Sequence, residues 1–275
     1  MSARFIKSSK IRIGDISISY LIKKSNAPEA KTILFLHGFP FNKNTWRNQM
    51  EVLPDNVTGI ALDIRGHGLT TSGHGFFSID VFAKDLRVFM EKLSIERACL
   101  CGVSMGGYIA LRAYQLMPDK ISGLILSDTH AKADTDAGKQ KRFDSIQAVL
   151  NYGRRPFSIG FVENVLAAKT IEEKPGAVEL IKSAIRRNSV RNICATILAL
   201  ASRTDTSSVL PDIQVPTLLI RGAQDRITAA EDMQVMLELI PAAKYIEFEE
   251  SGHLPNLEEP ARFNEVMLTF LNELA

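Results

Sequence analysis

Cysteine is scarce in this chain, with three residues, at positions 99, 101 and 194, among 275. So few, with no C-x-x-C pair, argue against a disulfide scaffold and a thiolate zinc site. Cys99 and Cys101 alternate within an apolar strand pattern and face one side, so both read as small core residues. Long apolar runs are missing too. No stretch reaches the length of a membrane span, and "MSARFIKSSKIRIG" has no apolar segment of the kind a secretory signal carries. An excess of one charge is also absent. Thirty-three Lys and Arg against 31 Asp and Glu leave a net +2, with no clustered basic footprint for nucleic acid. A cytoplasmic protein without nucleic-acid or membrane partners is the expectation.

What the chain does have is apolar material: 45% of residues are hydrophobic and 23% charged, enough for one large core. "KIRIGDISISYLIKK" alternates apolar and polar residues around Gly14-Asp15, the pattern of an antiparallel hairpin. "KTILFLHG" instead runs apolar without alternation, as a strand covered on both faces does. Similar runs recur in "VTGIALD", "RACLCGV", "ISGLILSD", "TLLIRG" and "KYIEFEE". Helical periodicity separates them at residues 79–93, 106–117 and 260–273, and Thr228-Ala-Ala-Glu231 reads as a capping-box start for another helix. Strands alternating with helices imply a mostly parallel sheet with helices on both faces.

That alternation stops between residues 130 and 208, where only helical patterns occur, about four of them. The expected division is a core of 1–129 and 209–275, with 130–208 as a helical cap. The cap holds an excess of five positive charges, best read as a solvated helical surface.

"CLCGVSMGGYIAL" (99–111) carries the chemistry. A strand that runs into G-x-S-x-G and opens a helix is the setting in which a serine is held on a sharp turn at the sheet's edge. Ser104 is therefore the candidate nucleophile, and the Met105 N–H, at the helix start, a candidate oxyanion donor. A serine hydroxyl needs a base, and the base needs an orienting acid. Of five histidines, His253 alone lies late in the chain, between the last strand pattern and the last helix. Asp225 in "TLLIRGAQDRIT" follows a strand end and is the expected acid; Asp128 in "LILSDTH" has the same address one strand earlier and is its rival. The loop "HGFPFNKNTW" offers the Phe39 N–H as second oxyanion donor. Phe41 and Trp46 either wall a pocket or simply pack. His130 opens the insertion and could border the pocket.

Taken together, "HGFP", "DIRGHG", "GVSMGG", "RGAQD" and "SGHLPNLEEP" resemble the α/β-hydrolase superfamily in kind and order over nearly the whole chain. The resemblance implies an α/β-hydrolase fold: an eight-stranded, mostly parallel sheet with a helical cap after the sixth strand. It implies a Ser104–His253–Asp225 triad and hydrolysis of a small carboxylic ester or lactone through an acyl-enzyme, with no metal or organic cofactor. Carboxylesterases and 3-oxoadipate enol-lactonase-like enzymes look most similar. "DIRGHG" is expected to shape a loop; Pro40 is shared with cofactor-free haloperoxidases and perhydrolases, but their elbow differs from "SMGG", which leaves perhydrolysis at most a side activity. Two other readings are a ligand sensor built on the same scaffold and a C–C bond hydrolase.

Overall fold

The computed structural model describes residues 5–274. Its strands are β1 (Lys7–Ile13), β2 (Ile16–Lys23), β3 (Lys31–Leu36), β4 (Val57–Leu62), β5 (Ala98–Val103), β6 (Ile121–Ser127), β7 (Thr217–Gly222) and β8 (Lys244–Phe248). They form one eight-stranded sheet in the order β1-β2-β4-β3-β5-β6-β7-β8. β1 and β2 are the predicted hairpin, paired from Lys7↔Ile22 to Ile13↔Ile16. β2 lies antiparallel to β4, and every pair from β4 onward is parallel. Burial explains the sequence pattern. Ile33 to Leu36 and all of β5 are inaccessible on both faces, which is why those runs show no polar alternation.

The helices are α1 (Arg47–Glu51), α2 (Ile79–Lys92), α3 (Met105–Leu116), α4 (Asp136–Tyr152), α5 (Arg154–Val165), α6 (Ala168–Glu173), α7 (Pro175–Arg187), α8 (Val190–Ala201), α9 (Ala230–Leu239), α10 (Pro255–Glu258) and α11 (Pro260–Glu273). α2 begins where Ser78 accepts the Val81 N–H, a side-chain cap for an otherwise unpaired donor. Five helices, α4 to α8, stand between β6 and β7, one more than the periodicity suggests. The extra break lies inside the pattern "SIGFVENVLAAK": Leu166 and Ala167 take extended backbone, which ends α5 at Val165 and starts α6 at Ala168, while Pro175 separates α6 from α7.

The capping box at Thr228 does not form. α9 starts at Ala230 without a side-chain cap, and the Thr228 hydroxyl donates instead to the Asp128 carbonyl at 3.0 Å. A buried carbonyl at the neighbouring strand end outcompetes the helix for that hydroxyl.

Both ends of the inserted helices are pinned to each other at the sheet. The Thr206 N–H donates to the Ala131 carbonyl at 2.8 Å, and Arg203, buried, bonds the Lys132 carbonyl and the Asp134 carboxylate at 3.0 and 2.7 Å. Among the described residues no helix is long and apolar enough to cross a membrane.

Candidate active site

Ser104 joins β5 to α3 with φ 54° and ψ −117°, a backbone conformation that L-residues rarely adopt. Strain of this kind costs about 1–3 kcal/mol and persists only where surrounding structure imposes it. Here the Ser104 N–H is tied to the Ser127 carbonyl at 2.9 Å, and the Thr129 hydroxyl holds the Ser104 carbonyl at 2.9 Å. The turn is sharp enough that two glycines are required. A Cβ on Gly102 would lie 2.4 Å from the Gly106 backbone, and one on Gly106 would lie 2.1 Å from the Leu36 carbonyl oxygen. The Met105 N–H is the first of α3 and so one of the four that a helix leaves without an internal partner.

Asp225 and His253 meet across the ends of β7 and β8. The Asp225 Oδ2 to His253 Nδ1 distance is 2.8 Å, and both side chains are almost wholly buried. Close backbone approach makes this contact possible: a Cβ on Gly222 would lie 1.8 Å from the Gly252 carbonyl oxygen. Burial by itself would raise the Asp225 carboxyl, but the His253 partner and the N–H groups of Ile227 and Thr228 outweigh it and hold Asp225 below the usual carboxylate range. The structure joins acid to imidazole by a hydrogen bond. It does not join Ser104 to His253 by one; the Ser104 hydroxyl has no hydrogen-bond partner among the described residues.

Asp128, the rival acid, does not bond the imidazole. Its Oδ1 accepts the Gly222 N–H at 2.8 Å and its Oδ2 the Ser127 hydroxyl at 2.7 Å. Oxygens of Asp128 and Asp225 and a ring nitrogen of His253 nonetheless lie within 4.8 Å of one another. Such a trio has the donor types of a metal site, yet these atoms are already engaged with one another and with backbone N–H groups.

The loop after β3 is held from both sides. His37, fully buried, donates from Nδ1 to the Gly38 carbonyl at 2.8 Å and accepts the Ile64 N–H on Nε2 at 3.0 Å. Burial pushes its imidazole down to about 4, so it stays neutral and fixed in that tautomer. Asp63 accepts the backbone and side-chain nitrogens of Lys43 at 2.8 and 2.6 Å and the Leu69 N–H at 2.9 Å, so "DIRGHG" shapes this loop as expected. Gly38 packs against Ser104: a Cβ on Gly38 would lie 3.3 Å from the Ser104 Cβ. The peptide of Phe39 therefore sits next to the elbow.

Above the loop lies an open cavity of about 570 Å³ between α4, α5 and α8, lined by Phe39, Tyr152, Phe157, Phe161, Ile197 and Ile227 among others. Phe39, Phe157 and Phe161 form an aromatic cluster with centroids 5.4–6.4 Å apart. Phe41 and Trp46 do not line it. Both are inaccessible, Phe41 against Phe161 and Trp46 between Phe35 and Phe263, so they are core. His130 is likewise not in the wall; its Nε2 lies 3.2 Å from the Tyr108 hydroxyl and 3.3 Å from Arg203.

Glu258, in the His253 segment, has a role that the sequence does not reveal. Its two carboxylate oxygens accept the N–H groups of Leu254 and Ala167 at 3.1 and 2.7 Å, and the His253 N–H donates to the Val165 carbonyl at 2.8 Å. The His253 loop is thus clamped to the α5–α6 junction. The one signal available is an acid five residues after His253, just before the last helical pattern. Glu258→Ala strands two buried N–H donors and is expected to cost about 1–3 kcal/mol. Denaturant unfolding of the two proteins measures it, with Glu258→Gln expected to recover part of the loss.

Comparison with known proteins bears on this geometry. The family described as "alpha/beta hydrolase fold" matches over residues 31–260. The chain is 28% identical to 3-oxoadipate enol-lactonase 2 of Acinetobacter baylyi over 250 residues, covering 91% of each. A thermophilic esterase from Thermogutta terrifontis superposes with a TM-score of 0.89 at 28% identity, covering 97% of this chain and 98% of that one. The enol-lactonase from Burkholderia xenovorans LB400 has the same fold, with a TM-score of 0.89 at 22% identity and coverage of 96% and 100%.

Proposed function

Because the chain belongs to the α/β-hydrolase family, we propose that it is a serine hydrolase that cleaves small carboxylic esters or lactones by acyl transfer. The observation that carries this reading is the 2.8 Å contact of Asp225 with His253 beside a serine on a strained strand-to-helix turn. The names of the similar enol-lactonase and esterase point to the same bond type.

In this reading His253 takes the Ser104 proton as the hydroxyl attacks the carbonyl carbon. Asp225 holds the Nδ1–H, keeps Nε2 unprotonated for that task and stabilises the imidazolium that results. The N–H groups of Phe39 and Met105 face the developing oxyanion, each such donor being worth about 2.7–4 kcal/mol. His253 then protonates the leaving alcohol, and water, activated by the same imidazole, releases the acid and restores Ser104. Residues 130–208 act as the cap over the site, and the aromatic cavity receives the apolar part of the substrate.

A panel of aryl esters and lactones tests the reading, with multiple turnovers expected; release of no more than one equivalent of product per chain would sink it. The cavity makes a separate prediction. Phe161→Ala removes one wall and is expected to lower kcat/KM for a hexanoyl aryl ester about tenfold relative to the acetyl ester. Equal losses for both esters would show that this cavity does not hold the acyl chain.

A further inference from the structure

Asp128 is fully buried at the end of β6 and holds φ 48°, in the left-handed region. Its carboxyl accepts the Gly222 N–H and the Ser127 hydroxyl, and its carbonyl accepts the Thr228 hydroxyl. These contacts tie the end of β6 to the end of β7 and to the loop that carries Asp225. The carboxyl also lies within 4.8 Å of Asp225 and His253.

Two ionised carboxylates at that separation, out of water, repel each other strongly, and the imidazole is hydrogen-bonded to Asp225 alone. Among the described residues no Lys or Arg forms an ion pair with either acid. The charged groups of the neighbouring elements are engaged elsewhere. Arg203 is paired with Asp134 and lies over the Tyr108 ring, and His130 beside it is pushed down to about 4 by burial and is neutral. A proton held on the acid pair relieves that repulsion. Asp225 is the wrong place for it, since the Ile227 N–H and the imidazole N–H both favour its ionised form. Burial and the charge of Asp225 act on Asp128 in the other direction and push its carboxyl well above the usual range.

We propose that Asp128 stands as a neutral carboxylic acid whose proton is donated to the Asp225 carboxylate, making it a positioning residue for the Asp225–His253 pair. Oδ1, which accepts the Gly222 N–H, is the carbonyl oxygen, and Oδ2 carries the proton while accepting from Ser127. The donated hydrogen bond fixes the plane of the Asp225 carboxylate and disperses its charge, so that its Oδ2 stays aligned with His253 Nδ1. This inference rests on Asp225 and His253 acting as acid and base.

Asp128→Asn and Asp128→Ala test it in the intact protein. Asparagine tolerates the left-handed backbone, and its amide can accept from Gly222 and donate to Asp225. Infrared difference spectra of wild type against Asp128→Asn near neutral pH are expected to lose the C=O stretch of a protonated carboxyl. Loss of a carboxylate stretch instead overturns the proposal. The pH profile of kcat/KM reads the positioning role. The acid limb of Asp128→Asn is expected to coincide with wild type, while that of Asp128→Ala moves up by about half a pH unit or more, because Asp225 without its donor binds the imidazolium more strongly. A downward move in Asp128→Asn would mean that a negative charge had been removed, and coincidence of Asp128→Ala with wild type would mean no coupling; either result overturns the proposal. The infrared measurement needs no turnover. A protonated carboxyl in a protein that hydrolyses no ester would therefore sink the hydrolase reading and leave the acid pair standing.

Discussion

Ser104→Ala is expected to lower kcat/KM for an aryl ester by roughly ten-thousand-fold or more while leaving the fold intact. The loss is large because, in the proposed mechanism, the variant lacks the only atom that forms the covalent intermediate. No other hydroxyl takes its place: Thr129 and Ser127 donate to the Ser104 carbonyl and to Asp128. The elbow itself survives, because its backbone is held by Ser127 and Thr129 and by the close approach of Gly102 to Gly106, none of which involves the Ser104 side chain. Thermal unfolding of both proteins alongside the kinetics separates the two effects. A Ser104→Ala protein that retains the wild-type rate removes the acyl-enzyme mechanism.

The second large effect is expected of Asp225→Asn, about a thousand- to ten-thousand-fold in kcat. The substitution is nearly isosteric, so little packing is lost, but the chemistry of the contact with His253 Nδ1 inverts. An amide in that position can present N–H in place of oxygen. Nδ1 then becomes the acceptor, and Nε2 carries the proton and cannot act as base. The loss should appear mainly in kcat, because Asp225 is not among the residues that line the cavity described above. Asp225→Asn activity within tenfold of wild type would remove Asp225 as the orienting acid. A larger loss in Asp128→Asn than in Asp225→Asn would move that role to Asp128.

Much of this architecture can be read from residue order. Strands buried on both faces must be apolar throughout, so β3, β5, β6 and β7 announce themselves as uninterrupted runs, and a parallel sheet needs helices between them. A backbone that turns as tightly as the one at Ser104 admits only glycine at its points of closest approach, so G-x-S-x-G is visible as a motif. Asp225 and His253 are legible because both follow strands whose ends share one edge of a parallel sheet.

Other features depend on contacts that no local pattern encodes. Thr228 looks like a helix cap, yet it bonds a carbonyl one hundred residues away in sequence. Phe41 and Trp46 share a loop with Phe39, but only Phe39 faces the cavity, a choice made by the packing of Phe161 and Phe263 against the other two. The weak amphipathicity of α4 and α5 leaves the cavity-facing side of each helix undetermined until neighbours are in place.

Sequence alone thus determined the order of strands and helices, the strained turn at Ser104 and the identity of the residues offered as nucleophile, acid and base, because steric limits and burial act on every residue locally. Tertiary structure decided which acid meets His253, that a second acid lies beside the first, and which aromatic rings enclose the cavity. Those outcomes turn on distances between strand ends and helices far apart in the chain, and only the assembled sheet sets them.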